Sequence, residues 1–144
     1  MTSNSELNTF GSVLTFAINL EDTARTFYEG LSERDEHRLS MDILKELAEG
    51  NRKRRELLER TRRESIVEMI LERISGLNRA EYSADASYAP DEANNLKVAI
   101  ELERRTGRFY SDSANKTKFL PEVSRTLERL ARNSAEREAR LRSL

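Results

Sequence analysis

A twelve-residue segment occurs twice in this chain, and this repeat restricts the possible folds more than any other feature of the sequence. The copies are AINLEDTARTFY at residues 17–28 and AIELERRTGRFY at residues 99–110, with six identical positions. Each copy contains a glutamate that is followed seven residues later by a tyrosine. Seven residues are two helical turns, so the two side chains share one helix face. The pairs are Glu21 with Tyr28 and Glu103 with Tyr110.

The composition predicts a single all-α domain over residues 1–144. Charged residues make up 35% of the chain, which has only 2 prolines, 5 glycines and no tryptophan. Abundant Glu, Arg, Leu and Ala favour long helices with solvated faces. The 25 basic and 26 acidic residues nearly balance, so the charge gives no basis for binding nucleic acid or an anionic membrane.

Several classes of site and targeting signal lack their residues in this sequence. No cysteine is present, which excludes disulfides, thiolate metal sites and cysteine nucleophiles. No Gly-rich phosphate loop, Ser-His-Asp set or zinc-ligand spacing occurs. The sequence shows no signal peptide and no run of eighteen apolar residues, so we expect a soluble, cytoplasmic protein. We expect the single histidine, His37, on the surface among charged residues.

Apolar residues at alternating steps of three and four predict four long helices. Ser3 and Glu6 match a capping box at the start of the first helix. The predicted bounds are about residues 5–33, 39–64, 91–114 and 121–144, with a turn at 115–120. The predicted core-facing seams are Phe10, Leu14, Ala17, Glu21, Ala24, Tyr28 and Leu31; Leu44, Leu47, Asn51, Arg54, Leu58 and Thr61; Leu96, Ala99, Glu103, Thr106 and Tyr110; Val123, Leu127, Leu130, Ser134, Arg137, Leu141 and Leu144.

The second and fourth helices repeat one another as the first and third do. The chain is therefore predicted to form two helical hairpins, about residues 5–64 and 91–144, that pack into a four-helix bundle. Residues 65–90 join them as a crossover along the outside of the bundle. Within it, the apolar segment 65–76 extends the second helix or forms a separate one, and it is the best candidate for an additional contact surface. The aligned positions are Leu47, Ala48, Asn51, Arg54 and Leu58 with Leu130, Ala131, Ser134, Arg137 and Leu141.

Each seam is interrupted by polar residues at its middle, and we call this set the polar layer. Two glutamates and two arginines in it balance in charge. Asn51 with Arg54, and Ser134 with Arg137, are spaced by three residues and share a helix face. We expect the four helices to bring the polar layer together at mid-bundle. Its members are Glu21, Asn51, Arg54, Glu103, Ser134 and Arg137.

With these residues the chain resembles the rubrerythrin-like branch of the ferritin-like superfamily. That resemblance implies a bundle in which each hairpin supplies a glutamate from its first helix and a Glu-x-x-His pair from its second helix to a di-iron centre. The matching residues are Ala17, Glu21, Phe27 and Tyr28; Ala99, Glu103, Phe109 and Tyr110; Leu47 with Ala48; and Leu130 with Ala131.

Four of the six ligand positions implied by this resemblance have changed. Asn51 and Ser134 replace the second-helix glutamates, while Arg54 and Arg137 replace the histidines. Arginine is a cation that only donates hydrogen bonds, so it cannot ligate iron. We therefore predict a buried Glu/Arg salt-bridge cluster with bidentate pairing in place of the metals, to which the two repeated tyrosines can donate.

The sequence thus favours a vestigial metal site without a cofactor, in a non-catalytic module that forms a dimer or larger oligomer or binds an unidentified protein partner. The alternative is a metal-dependent oxidoreductase that handles peroxide or oxygen, with iron at Glu21 and Glu103 and unrecognised further ligands. A small apolar ligand in the bundle also stays open.

Other charged groups are expected at the surface. The basic run at residues 52–55 is interleaved with glutamates at helical spacing, which favours an exposed ion-pair face over a nucleic-acid patch. Four further carboxylates lie off the seams and are expected in solvent rather than at a metal: Glu49, Glu56, Glu128 and Glu136.

Overall fold

The chain is all-helical, as its composition and periodicity predict. A computed structural model describes residues 6–34, 40–64, 74–83, 86 and 92–144. Within these residues the structure has five helices and no strand. They are α1 (Phe10–Ser32), α2 (Met41–Glu64), α3 (Arg79–Tyr82), α4 (Glu92–Lys116) and α5 (Pro121–Arg142).

The start of α1 differs from the prediction, because the cap is formed by other residues. Thr9 Oγ1 accepts from the Ser12 amide at 3.0 Å, and Ser12 Oγ accepts from the Thr9 amide at 3.2 Å. The capping box predicted at Ser3 and Glu6 is therefore wrong: Ser3 lies outside the described residues, and Glu6 forms an isolated bridge with Asn78. Residues 6–8, just before the cap, belong to no helix.

α1 packs chiefly against α2, and α4 packs chiefly against α5, while α1 also contacts α4. Arg55 on α2 pairs with Asp22 on α1 at 2.8 Å. α4 continues to Lys116, so the turn before α5 is shorter than predicted. The predicted seam positions are buried, except that Thr61 is only partly buried and Leu144 is 47% exposed because α5 ends before it.

Two apolar clusters fill the core, and the polar layer separates them along every long helix. One cluster includes Phe10, Leu58, Phe109 and Leu127. The other includes residues beyond the polar layer, such as Leu44 and Leu141. The helices therefore stabilise the layer by burying apolar side chains on both sides of it.

The crossover contributes to the core, contrary to the prediction that it runs along the outside of the bundle. Ile74, Leu77 and Tyr82 are each at most 3% exposed. The Leu7 amide donates to the Leu77 carbonyl at 2.7 Å, and the Tyr82 ring lies 5.1 Å from that of Phe109. Ile74 is thus unavailable as part of an additional contact surface, while residues 65–73 lie outside the described part of the chain.

Candidate functional site

The structure brings the six residues of the polar layer together inside the bundle. Both glutamates are at most 2% exposed, and the two arginines are 5% and 9% exposed. The periodicity of the sequence predicts that these charged side chains face the core. In the structure, the apolar clusters on both sides of the layer shield them from solvent. The layer divides into two parts. The Glu21 site consists of Glu21, Asn51, Arg54 and Tyr110, and the Glu103 site consists of Glu103, Ser134, Arg137 and Tyr28.

In the Glu21 site both carboxylate oxygens accept hydrogen bonds. Asn51 Nδ2 donates to Oε1 at 2.7 Å, and the Tyr110 hydroxyl donates to Oε2. Arg54 Nη1 lies 3.4 Å from the same Oε2. An amide, a phenol and a guanidinium thus surround the Glu21 carboxylate.

In the Glu103 site only one carboxylate oxygen is occupied by the described residues. Tyr28 donates to Oε2 at 2.7 Å, and Arg137 Nε lies 3.7 Å from this oxygen, beyond normal hydrogen-bond length. Among the described residues, Glu103 Oε1, Ser134 Oγ and Arg137 Nη1 have no hydrogen-bond partner. Ser134 is too short to repeat the amide contact that Asn51 makes in the other site.

Each tyrosine donates a hydrogen bond to the glutamate of the other repeat. The sequence did not specify this arrangement. Tyr28 on α1 donates to Glu103 on α4, and Tyr110 on α4 donates to Glu21 on α1. Burial raises the pKa of both phenols well above the ordinary value of 10.0, and the neighbouring carboxylate raises it further. Both tyrosines are therefore neutral donors throughout the physiological pH range.

The arginines connect α2 with α5 rather than forming bidentate pairs with the glutamates, so the predicted bidentate geometry is wrong. Arg54 Nε donates to Asn133 Oδ1 at 3.0 Å, and its Nη2 donates to the same oxygen. Arg137 Nη2 donates to the Leu47 carbonyl at 2.8 Å and to Asn51 Oδ1 at 3.2 Å. Burial lowers the pKa of Arg54, but Glu21 and other acidic neighbours outweigh this effect, so the pKa of the guanidinium is raised above its ordinary value.

Asn133 is the one member of this network that the sequence analysis missed. It lies beside Ser134 on an exposed position of α5, off the apolar seam. Helical periodicity does not predict that such an exposed residue joins a buried network. The contact forms because the long side chain of Arg54 extends from α2 to Asn133 on α5.

A cleft of about 350 Å³ between α4 and α5 reaches the Glu103 site. Its lining consists of small and charged residues: Glu103, Arg104, Gly107, Arg108, Ser111, Ala131, Arg132, Ala135 and Glu138. The two helices approach closely at Gly107, where an added Cβ would lie 3.2 Å from Ser134 Cβ. The Glu21 site has no counterpart to this glycine, since Arg25 occupies the equivalent position of the repeat.

The donor set of the polar layer does not fit a di-iron centre. Two guanidinium groups face the glutamates where ligating imidazoles would be needed, and guanidinium offers no lone pair. Within the described ranges, no group of three or more His, Cys, Asp or Glu residues is arranged to hold a metal ion. The off-seam carboxylates Glu49, Glu56, Glu128 and Glu136 are all exposed, as predicted.

Arg52 and Arg55 of the basic run on α2 form the predicted exposed ion-pair face, whereas Arg54 is buried in the polar layer. Arg52 pairs with Glu49 at 2.5 Å, and Arg55 pairs with Glu59 at 2.7 Å. A hydrogen bond from Arg52 lowers the pKa of Glu49. Both of these ion pairs lie within α2, and Arg55 also pairs with Asp22 on α1. His37 lies outside the described residues.

None of the described helices is long and apolar enough to span a membrane. Searches of protein-family models, curated proteins and solved structures found no match to this chain.

Proposed function

We propose that this chain is a ferritin-like bundle of two repeated hairpins, related to the rubrerythrin-like branch, in which the polar layer has replaced a di-iron centre. Its role is then non-catalytic, as a module that associates with itself or with a protein partner. The repeated segment, the packing of α1 on α2 and α4 on α5, and the equivalent burial of both glutamates support this proposal.

The observation that carries the proposal is the position of the two guanidinium groups. Arg54 and Arg137 lie against Glu21 and Glu103 inside the bundle, at the positions where the resemblance calls for ligating histidines. Each carboxylate thus has a cation that is part of the protein, and a divalent ion placed there would meet two fixed positive charges. Iron binding is therefore opposed by repulsion from the two guanidinium groups, and the carboxylates gain little from a second cation.

The polar layer has a structural use that fits a non-catalytic module. Its hydrogen bonds run between α1 and α4 through the tyrosines, and between α2 and α5 through the arginines. A sliding or rotation of one helix pair would leave buried charges unpaired. The layer therefore favours one register of the bundle, a use for which buried polar groups are known in other helical assemblies.

Iron loading tests this proposal. The purified protein is incubated with ferrous iron under nitrogen, freed of excess metal, and assayed for iron content and visible absorption. We expect no stoichiometric iron. The positive control restores the ligand set with Asn51→Glu, Arg54→His, Ser134→Glu and Arg137→His, and its folding is checked by circular dichroism. A di-iron complement in the unmodified protein would overturn the proposal.

The alternative function is a metal-dependent oxidoreductase that uses Glu21 and Glu103. One observation favours it: Glu103 Oε1 is a buried acceptor without a partner among the described residues. Iron-dependent oxygen or peroxide consumption by the unmodified protein, abolished by Glu103→Gln, would establish this function. Association is tested separately by light scattering during size-exclusion chromatography, for which we expect a mass of at least two chains.

A further inference from the structure

We infer that two copies of this chain associate through the outer face of α1, packed against each other about a two-fold axis. This surface is called the threonine face, and it consists of Thr15, Asn19, Thr23 and Thr26. The inference rests on the self-association named in the proposed function and identifies the surface that makes the contact. It does not depend on what the polar layer replaced.

The threonine face is a continuous stripe on the side of α1 that points away from the core. Its members follow one another at steps of four, four and three residues, so they lie on one side of the helix. All of them are exposed, while the seam of α1 that faces the core is buried. At 1.5 Å per residue, the stripe extends over roughly 16 Å and contains no charged side chain.

A stripe without charge is unusual in this protein, in which 35% of the residues are charged. On α2 every exposed residue except Met41 is charged, and the outer side of α5 includes Arg125, Glu128 and Arg132. Burial of such groups in an interface is unfavourable, because each charge must lose its hydration. The threonine face can therefore be buried at a much lower desolvation cost than the outer faces of α2 and α5.

The second repeat has charged residues at the equivalent positions of α4, and there they hold the crossover. Arg105 Nη1 donates to the Ser83 carbonyl at 2.7 Å, and Arg108 lies 3.9 Å from Glu81. The outer face of α4 thus binds a segment of its own chain, whereas the same face of α1 lacks these charges and is exposed. The aligned positions are Thr15, Asn19, Thr23 and Thr26 with Lys97, Glu101, Arg105 and Arg108.

The chemistry of the threonine face fits a second copy of the same face. A threonine hydroxyl and an asparagine amide each contain a donor and an acceptor, so identical residues can form hydrogen bonds with one another. Identical charged residues that meet across a two-fold axis repel each other, and a two-fold contact always brings identical surfaces together. The neutral, self-complementary stripe therefore selects another molecule of this chain over a strongly charged partner.

A hollow beside the threonine face provides space for side chains of the second chain. It measures about 340 Å³ and is lined by Asp22, Thr23, Thr26, Phe27 and Ala86. The carboxylate of Asp22 pairs with Arg55 at 2.8 Å, so its charge is matched within the chain. In a two-fold contact each chain offers the same hollow to the other, and both hollows are filled together.

Charges introduced on the threonine face test this assignment. Sedimentation equilibrium of the unmodified protein, at concentrations up to roughly 1 mM, should show a dimer. Asn19→Glu and Asn19→Lys each introduce like charges into the contact, and each should weaken dimerisation by about tenfold or more. Asn115→Glu is the matched control, because Asn115 is also an exposed helical asparagine, and it should leave the dimer unchanged. Circular dichroism checks that all variants are folded.

Cross-linking locates the contact by a second measurement. The chain has no cysteine, so Asn19→Cys and Thr23→Cys each introduce a single thiol. A short bismaleimide should join two chains of either variant, because packed helices lie about 8–10 Å apart. Lys97→Cys, at the position of α4 that is equivalent to Thr15, should give no linked dimer.

The outcomes separate this inference from the proposed function. A monomer at every concentration would overturn the inference, while iron loading still decides whether the di-iron centre has been replaced. A dimer that withstands both charge variants and is linked only through Lys97→Cys would refute the threonine face but leave self-association in place. A dimer that both charge variants weaken, and that is linked through Asn19→Cys, would support the inference.

Discussion

The Glu21 site and the Glu103 site derive from the same repeated segment, yet their environments are unequal. Glu21 accepts from an amide and a phenol and has a guanidinium at 3.4 Å. Glu103 accepts from a phenol at 2.7 Å, and its arginine is 3.7 Å away. The main chemical difference is Asn51 against Ser134. A repeat can therefore conserve burial and charge while one shorter side chain leaves polar groups unsatisfied.

The largest expected effect comes from removing an arginine. Arg54→Leu leaves Glu21 without its cation and should lower the free energy of unfolding by about 3–5 kcal/mol. Arg137→Leu should lower it at least as much, because Glu103 then keeps the tyrosine hydroxyl as its sole donor among the described residues. Chemical denaturation of both variants measures this order.

Arg55→Leu is the matched control on the adjacent position of α2. Arg55 is 38% exposed and pairs with Asp22 and Glu59 at the surface, so its loss should change stability by about 0–1 kcal/mol. If Arg54→Leu were no more destabilising than this control, Arg54 would contribute nothing as a buried counter-ion.

Alkaline pH should destabilise both sites together. The folded protein holds the pKa of Tyr28 and Tyr110 well above 10.0, chiefly through burial. Above about pH 10 the unfolded chain releases these protons while the folded chain keeps them, so the free energy of unfolding falls as the pH rises. Denaturation at increasing pH, with tyrosinate absorption followed in parallel, measures the loss.

The double variant Tyr28→Phe with Tyr110→Phe is the control for this pH dependence. It should begin less stable near neutral pH but lose less stability above pH 10 than the unmodified protein. An identical alkaline profile for both proteins would assign the effect to other groups.

The single tyrosine variants should distinguish the two sites. Tyr28→Phe removes the closest donor of Glu103 and should cost about 1.5–3 kcal/mol, the range for a hydrogen bond to a charged group. Tyr110→Phe should cost less, because Glu21 retains Asn51 and Arg54. Thermal and denaturant unfolding give the comparison, and equal losses would show that the extra donors of Glu21 have no protective effect.

Replacing Asn51 with serine, the residue at the equivalent position of the other repeat, should make the Glu21 site resemble the Glu103 site. Asn51→Ser leaves Glu21 Oε1 without its amide donor and should cost about 1–3 kcal/mol. The exposed residue Asn115, near the end of α4, provides the matched control as Asn115→Ser, which should change stability little. A neutral effect of Asn51→Ser would mean that the amide of the Glu21 site adds nothing to its stability.

The smallest expected effect concerns Gly50 on α2 and Gly107 on α4. Gly50→Ala should raise the free energy of unfolding by about 1 kcal/mol, because alanine favours the helix and its methyl group meets no described atom. Gly107→Ala should gain less or lose stability, because its Cβ approaches Ser134 at 3.2 Å beside the cleft. Equal gains in the free energy of unfolding, measured by denaturant titration of both variants, would show that the α4–α5 contact is loose.

Much of the polar layer could be predicted because periodicity alone identifies which positions face the core. All six of its residues fall on the predicted seams, and all six are buried. Tyr82 was missed as a core residue because the segment around it has no extended apolar periodicity, whereas Ile74 was assigned to an additional contact surface instead of the core. Leu144 was wrongly assigned to the core because the pattern continues past the residue where α5 ends.

The sequence by itself thus determined the four long helices, their apolar faces and the burial of two glutamates with two arginines. Only the tertiary structure decided the partners: Tyr28 with Glu103, Tyr110 with Glu21, and Arg54 with Asn133. The physical reason is that burial depends on the direction a side chain takes around its own helix, which repeats every 3.6 residues. A hydrogen bond depends on the offset between two helices to within a fraction of an ångström, and that offset is set by packing across the whole bundle.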